Sequence, residues 1–200
     1  QTCPQSEHGL TYTTPPLAED LEVTGNPVLE LLLASTATDQ NVFAYLEDVA
    51  PDGTVRIVTD GRLKASLRTT HEAPWDTLGT PWHRSFAADA QPLVPGETAE
   101  LAFDLLPLSY VFEEGHRIRL TITGADVRES MREEVSPAPV LTVDWASELT
   151  LPTVGAAAFV PEEPTEEPTT QPPVTEEPTD PAPTVEPTDP APTDDPAAGE

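Results

Sequence analysis

Strict alternation of apolar and polar residues is the feature that most constrains the fold of this 200-residue chain. From Arg117 to Thr123, the residues Ile118, Leu120 and Ile122 alternate with arginine and threonine. A repeat of two residues places every apolar side chain on one face of an extended strand, whereas a helix requires a repeat near 3.6. The pattern therefore predicts half-buried antiparallel strands.

The same pattern recurs in short blocks that predict an all-β fold. Further alternating strands are predicted at residues 55–57, 62–68 and 98–105, and more continuously apolar, central strands at Val28 to Ala34 and Val42 to Val49. Late strands are expected at Val140 to Trp145 and Glu148 to Leu151, with turns at Pro51-Asp52-Gly53 and Asp60-Gly61. Helix is expected only at residues 107–113 and 127–134. About eight strands with one long connection, Thr69 to Gly96, predict a two-sheet jelly-roll β-sandwich.

The composition changes near Pro161, where a tail rich in proline, threonine and acidic residues begins. Residues 161–200 contain 12 Pro, 12 Asp or Glu and no Lys or Arg, and the segment Glu177 to Thr184 recurs as Glu186 to Thr193. Such a sequence cannot bury enough apolar surface to fold and favours extended polyproline II structure. We therefore expect residues 1–8 to be disordered or a linker from an upstream domain, residues 9–155 to form the jelly roll, and residues 156–200 to be a disordered acidic tail.

Charge and hydropathy argue against several classes of partner. The net charge is −27, and the nine Lys and Arg are scattered, so no basic patch for nucleic acid is expected. No apolar run approaches the ~20 residues of a membrane span, so no membrane insertion is expected. The chain starts at Gln1, so any signal peptide would lie upstream. The cysteine Cys3 stands alone near the terminus, where it can form no internal disulfide.

Three segments resemble a known family. They are Leu10 to Leu17 followed by Leu21 to Gly25, Leu46 to Gly53 followed by Thr59 to Leu63, and Phe112 to Leu120. Their order and spacing are similar to the C-terminal domain of the X-Pro dipeptidyl-peptidase and cocaine-esterase-like serine hydrolases, over about Gly9 to Pro152.

The resemblance implies a galactose-binding-like jelly roll that follows an α/β-hydrolase domain, packs on it and helps to wall its active site. In that family the catalytic residues belong to the hydrolase domain, and this chain has no G-x-S-x-G nucleophile elbow. We therefore expect no catalytic residue here. Asn41 and Val42 stand where relatives often have Asp-Phe near the active-site mouth, which leaves the substrate preference open.

The aromatic pair Trp75 and Trp82 is the strongest candidate for a contact site. Tryptophan is enriched at buried contacts, which favours docking against a neighbouring domain. Stacking on sugar rings is the alternative. His116 is expected to be structural, because no partnered Ser or Cys is evident. No metal or other cofactor is expected, since the histidines lack zinc-site spacing and Asp48, Asp52 and Asp60 match no calcium loop.

These observations predict the non-catalytic C-terminal domain of a secreted serine hydrolase, either an X-Pro dipeptidyl-peptidase or an ester or amide hydrolase. The fragment itself should be inactive, and we expect an extracellular or cell-surface location. The alternative is a stand-alone carbohydrate-binding jelly roll that binds a glycan or the cell wall on a stalk formed by the tail.

Overall fold

The computed structural model describes residues 9–126 and 138–161. The segment 1–8, the helix predicted at residues 127–134, and residues 162–200 of the predicted tail lie outside the described residues. Residues 156–161, which the sequence assigns to the tail, are described. Ala18 N donates to Ala158 O (2.9 Å) and Val160 N donates to Pro16 O (2.8 Å), so this segment returns to the start of the domain.

The described residues form eleven β-strands and no α-helix. They are β1 (Leu10–Thr13), β2 (Leu21–Gly25), β3 (Val28–Ser35), β4 (Asn41–Val49), β5 (Val55–Lys64), β6 (Thr98–Asp104), β7 (Leu108–Phe112), β8 (Arg117–Thr123), β9 (Leu141–Val143), β10 (Glu148–Thr150) and β11 (Thr153–Val154). Every pairing between them is antiparallel. The all-β fold class is therefore confirmed, while the jelly-roll connectivity remains a prediction.

These strands form three hydrogen-bonded sheets. The first has the order β1-β8-β4-β5, the second the order β10-β3-β6 with β9 also paired to β3, and the third the order β11-β2-β7. The two strands predicted to be central, β3 and β4, have neighbours on both sides, and every side chain of β4 from Val42 to Asp48 is buried. The inward-facing residues of the sheets share one core that includes Leu31, Leu101 and Ile122.

The turn predicted at Asp60-Gly61 is wrong, because β5 runs straight through it from Val55 to Lys64. Gly61 is required there for close approach rather than for a turn. A Cβ at Gly61 would lie 2.7 Å from Asp104 O and 2.9 Å from Leu105 Cα. Leu106 N also donates to Asp60 O at 2.9 Å. The chain after β6 therefore crosses β5 at backbone contact distance.

The strand predicted at residues 62–68 ends early, at Lys64, and a 3-10 turn follows at Ala65–Leu67. The carboxylate of Asp39 causes this change of direction. It accepts the backbone N–H of Ser66 at 2.9 Å and the Ser66 hydroxyl at 2.8 Å. A side chain that binds the backbone in this way competes with continued strand pairing.

The helical turn predicted at residues 107–113 is also wrong, because β7 lies there. Its residues pair with β2 from Leu108↔Gly25 to Phe112↔Leu21, and Phe112 is fully buried. This pairing joins segments about ninety residues apart in sequence, so local propensity did not reveal it.

Candidate functional site

The long connection between the 3-10 turn and β6, residues 68–97, is called here the aromatic loop. Backbone hydrogen bonds fix it at several points: His71 N donates to Trp82 O (2.9 Å), Gln91 N to Ser66 O (2.7 Å), and Leu93 N to Thr38 O (2.7 Å). The side chain of Leu93 is buried in the core. The loop therefore has a defined conformation held against the sheets.

His83 attaches the middle of the aromatic loop to the edge of a sheet. Its Nε2 lies 2.9 Å from Ala102 O of β6, and its Nδ1 lies 3.2 Å from Thr69 O. Within the described ladder β6 is an edge strand. An edge strand presents unpaired backbone groups, and the His83 ring covers one of them. This contact gives His83 a structural role.

The aromatic loop presents large apolar side chains to solvent. The exposed fraction is 59% for Trp75, 86% for Leu78 and 62% for Phe86. The ring of Trp75 packs edge-to-face on Trp82, with centroids 5.2 Å apart and an interplanar angle of 68°. Exposed apolar groups that lie close along one ordered segment are typical of interaction sites.

Leu78 combines this exposure with backbone strain. Its φ is +56°, in the left-handed region that side chains other than Gly, Asn and Asp rarely adopt. The turn is held by Asp76 Oδ1, which accepts Leu78 N at 2.8 Å, and by Thr80 N, which donates to Thr77 O at 3.1 Å. Strained residues persist where their surroundings determine them, and they cluster at functional sites.

A charged pair supports the second half of the loop. The Arg84 guanidinium donates to both carboxylate oxygens of Asp89 and lies over the Phe86 ring, 5.6 Å from its centroid. Hydrogen bonds from Arg84 hold the pKa of Asp89 below its ordinary value. Ser85, between these residues, has a φ of +56°. Phe86 is therefore presented by a locally braced segment.

The predicted site residues fall into two groups. Trp75 and Trp82 meet in the aromatic loop, with Trp82 half-buried beneath Trp75. Asn41 and Val42 begin β4, in a different sheet from β6. The Val42 side chain is fully buried in the core and so offers no surface to a partner, whereas Asn41 is half-exposed. Sequence reasoning missed Leu78 and Phe86, because apolar residues in a loop usually indicate burial.

His116 lies in a hydrogen-bonded cluster between sheets. Its Nδ1 is 2.7 Å from Asp48 Oδ1, and the Tyr110 hydroxyl donates to Asp48 Oδ2 at 2.7 Å. Burial, followed by the hydrogen bond to Asp48, raises the pKa of Tyr110. Among the described residues no Ser or Cys side chain bonds to His116. The cluster links β4 to β7, which is consistent with a structural role for His116.

The remaining acidic candidates have ordinary structural roles. Asp52 Oδ1 accepts Thr54 N at 2.8 Å in the β4–β5 turn, and this hydrogen bond lowers the pKa of Asp52. Asp60 lies within β5. In the described part of the chain, His, Cys, Asp and Glu form no group of three or more suited to a metal ion. The same residues include no helix long and apolar enough to cross a membrane.

Comparison with known sequences shows which proteins share this domain. Residues 2–146 match the family model described as the X-Pro dipeptidyl-peptidase C-terminal non-catalytic domain. A Mycobacterium bovis protein named "Putative serine esterase" is 52% identical over 118 residues, which cover 58% of this chain and 19% of that protein. The cocaine esterase of Rhodococcus sp. is 33% identical over 117 residues, covering 58% of this chain and 18% of that enzyme. The chain therefore spans about a fifth of the length of the curated relatives it matches.

Solved structures show the same fold. A CocE/NonD family hydrolase from Staphylococcus aureus superposes with a TM-score of 0.61 at 20% identity, covering 73% of this chain and 30% of that one. An α-amino acid ester hydrolase superposes with a TM-score of 0.57 at 19% identity, covering 73% of this chain and 25% of that one. The family match extends over well more than half of the sequence. The chain belongs to the family of X-Pro dipeptidyl-peptidase C-terminal non-catalytic domains.

Proposed function

We propose that this domain packs through its aromatic loop on an α/β-hydrolase domain of the same longer protein and helps to wall that domain's active site. The observation that carries the proposal is the exposure of Trp75, Leu78 and Phe86 on a segment whose backbone is fixed. The family is a non-catalytic C-terminal domain, which supports an upstream catalytic partner.

The energy available from this contact is large enough to support docking. A tryptophan side chain offers about 150–250 Å², so the 59% exposed fraction of Trp75 corresponds to roughly 100–150 Å². At about 25 cal/mol per Å², its burial contributes on the order of 3 kcal/mol. Leu78 and Phe86 add comparable areas. The loop is already ordered, so little conformational entropy is lost when it binds.

We propose that the whole protein catalyses acyl transfer through a serine nucleophile that lies outside this chain. Substrates would be peptide, ester or amide bonds, in keeping with relatives named cocaine esterase and Xaa-Pro dipeptidyl-peptidase. We also propose a secreted or cell-surface location, which suits the acidic Pro/Thr-rich sequence after residue 161.

The test uses the full-length protein encoded by the gene, with Trp75→Ala and Phe86→Ala introduced together. Docking predicts a loss of at least about tenfold in kcat/KM for an aryl ester or X-Pro anilide, because truncated interface anchors commonly cost 2 kcal/mol or more. It also predicts that protease will cleave between the domains more readily, while the β-domain keeps its own unfolding midpoint.

Trp145→Ala is the matched control, because Trp145 is 91% exposed but lies in the β9–β10 turn rather than the aromatic loop. Wild-type kinetics and protease resistance in the Trp75 and Phe86 double variant would contradict docking through this loop. Saturable binding of an oligosaccharide that is lost in the same variant would instead favour a carbohydrate-binding module.

A further inference from the structure

A cleft of about 350 Å³ opens between the inner faces of the first and second sheets. The register pairs Tyr12 of β1 with Leu120 of β8, and it pairs Leu149 of β10 with Leu29 of β3. Residues directly opposite each other in a ladder point to the same face of the sheet. Because Leu120 and Leu29 are core residues, their ladder partners also face inwards. The cleft is therefore an opening into the core between the two sheets.

The walls of this cleft are apolar. Each sheet contributes three inward-facing side chains to them, Tyr12, Leu120 and Ile122 from the first and Leu29, Val143 and Leu149 from the second. Glu148 also lines the cleft, but it pairs with Glu30, so its side chain points to the outer face of the second sheet. No Lys, Arg or His of the described chain lines the cleft. A charged group placed between the walls would lose its water without gaining a partner.

Two aromatic rings stand at the mouth of the cleft. Trp145, in the β9–β10 turn, is 91% exposed, and Tyr12 is 48% exposed. The turn is fixed to β3, because Asp144 N donates to Leu32 O (2.9 Å) and Leu32 N donates to Ser147 Oγ (3.0 Å). Both rings therefore have apolar surface that a molecule in the cleft would bury, and the Trp145 backbone is already in place.

Polar groups at the mouth favour a neutral hydrogen-bond acceptor. Thr14 Oγ1 accepts Ile118 N (3.1 Å), and Ser147 Oγ accepts Leu32 N, so the O–H hydrogen of each remains available to donate. The only acidic side chain of the turn is that of Asp144, which is exposed beside them. Together with the net charge of −27, it repels an anion. The mouth therefore suits a carbonyl oxygen better than a carboxylate.

The volume limits the size of the molecule. An apolar cavity of about 150 Å³ is large enough for benzene, so about 350 Å³ accepts roughly ten to fourteen carbon atoms. We infer that this cleft binds a neutral, apolar molecule of that size which carries one carbonyl group, such as an aryl ketone or an ester. The inference does not depend on docking through the aromatic loop, because β6 and the β9–β10 pair lie on opposite sides of β3.

The experiment titrates three ligands with the same ring system into the complete chain by calorimetry. 2-Acetylnaphthalene should bind saturably at one site, and naphthalene, which lacks the carbonyl, should bind about two- to tenfold more weakly through the loss of one hydrogen bond. 2-Naphthoate should bind at least about tenfold more weakly than the ketone, because it brings a negative charge to an apolar, acidic site. Equal affinity of the ketone and the carboxylate would overturn the inference.

Three protein variants locate the binding site. Trp145→Ala should weaken binding of the ketone at least about fivefold while leaving the unfolding midpoint unchanged, because its ring is almost fully exposed in the free chain. Leu149→Trp should abolish binding by filling the cleft. Trp75→Ala, in the aromatic loop, should leave the affinity unchanged. Wild-type affinity in Trp145→Ala, wild-type affinity in a folded Leu149→Trp variant, loss of binding in Trp75→Ala, or no saturable binding would each overturn the inference.

Discussion

Gly61→Ala is the most direct test of the packing described for β5. The added methyl carbon would lie 2.7 Å from Asp104 O and 2.9 Å from Leu105 Cα. Both are backbone atoms of the segment that leaves β6, so neither can rotate away as a side chain would. Gly61 is not among the residues with positive φ, so alanine can adopt its backbone conformation without strain. The predicted cost therefore arises from overlap alone.

The expected loss of stability depends on which part of the chain must shift. To admit the methyl group, the chain after β6 has to shift away from β5, which stretches the bond from Leu106 N to Asp60 O (2.9 Å) and the bond from Thr59 Oγ1 to Leu106 O (2.7 Å). Overpacking costs about 1–3 kcal/mol, and a weakened buried hydrogen bond adds about 1 kcal/mol. We expect Gly61→Ala to lower the free energy of unfolding by about 2–4 kcal/mol, a large part of a typical domain's 5–15 kcal/mol.

Equilibrium urea unfolding of the complete chain measures this difference. Gly53→Ala is the control, because Gly53 has a φ of +82° and nothing within 4 Å of the added Cβ. That substitution tests backbone strain without overlap and should cost about 1–2 kcal/mol. A Gly61→Ala variant within about 0.5 kcal/mol of wild type would refute the close approach and would restore the reading of Asp60-Gly61 as an open turn.

Two further predictions concern buried and half-buried carboxylates. Glu47 is fully buried, and its Oε2 accepts Arg119 Nε (2.6 Å) and the Thr121 hydroxyl (2.7 Å), so Glu47→Ala should lower the free energy of unfolding by about 3–5 kcal/mol in the same urea assay. Burial raises the pKa of Asp39, but hydrogen bonds from Ser66 and the charge of Lys64 outweigh it and lower the pKa overall. Because the pKa of Asp39 is lower in the folded state, its charged carboxylate stabilises the fold above the ordinary pKa of 3.8, and this stabilisation is lost as the pH falls through the folded-state pKa. The difference in the free energy of unfolding between wild type and Asp39→Asn should therefore shrink over that acid range.

The strands that sequence alone predicted well are those whose pattern is local. β8 coincides with the predicted block from Arg117 to Thr123, because its alternation places Ile118, Leu120 and Ile122 on one face, although Thr121 and Thr123 on the other face are buried as well. β7 and the continuous β5 were missed because distant segments determine them: β7 needs β2 as its partner, and Gly61 needs the chain after β6. By local propensity, a glycine beside an aspartate indicates a turn. Only the tertiary contact shows that this glycine is needed because the chain after β6 lies too close for a side chain.

The candidate sites show the same limit. Trp75 and Trp82 were identifiable because tryptophan in a long connection is unusual, whereas Trp145 was assigned to a strand that in fact ends at Val143. Its exposure depends on how the β9–β10 turn is fixed to β3, which no local pattern encodes. Val42 is the opposite case. Family resemblance made this position a candidate for contact with a partner, but its side chain lies fully buried in the core.

The exposed apolar residues contribute little to the stability of this domain and are candidates for contact with a partner. The core of Leu31, Leu101 and their neighbours is complete without Trp75, Leu78 or Trp145, so folding gains little from these side chains. Leu78 costs stability through its positive φ, and Gly at this position should therefore stabilise the isolated chain. A Leu78→Gly variant that gains stability but weakens the docking proposed above would indicate that the strained turn is maintained for a partner and not for the fold.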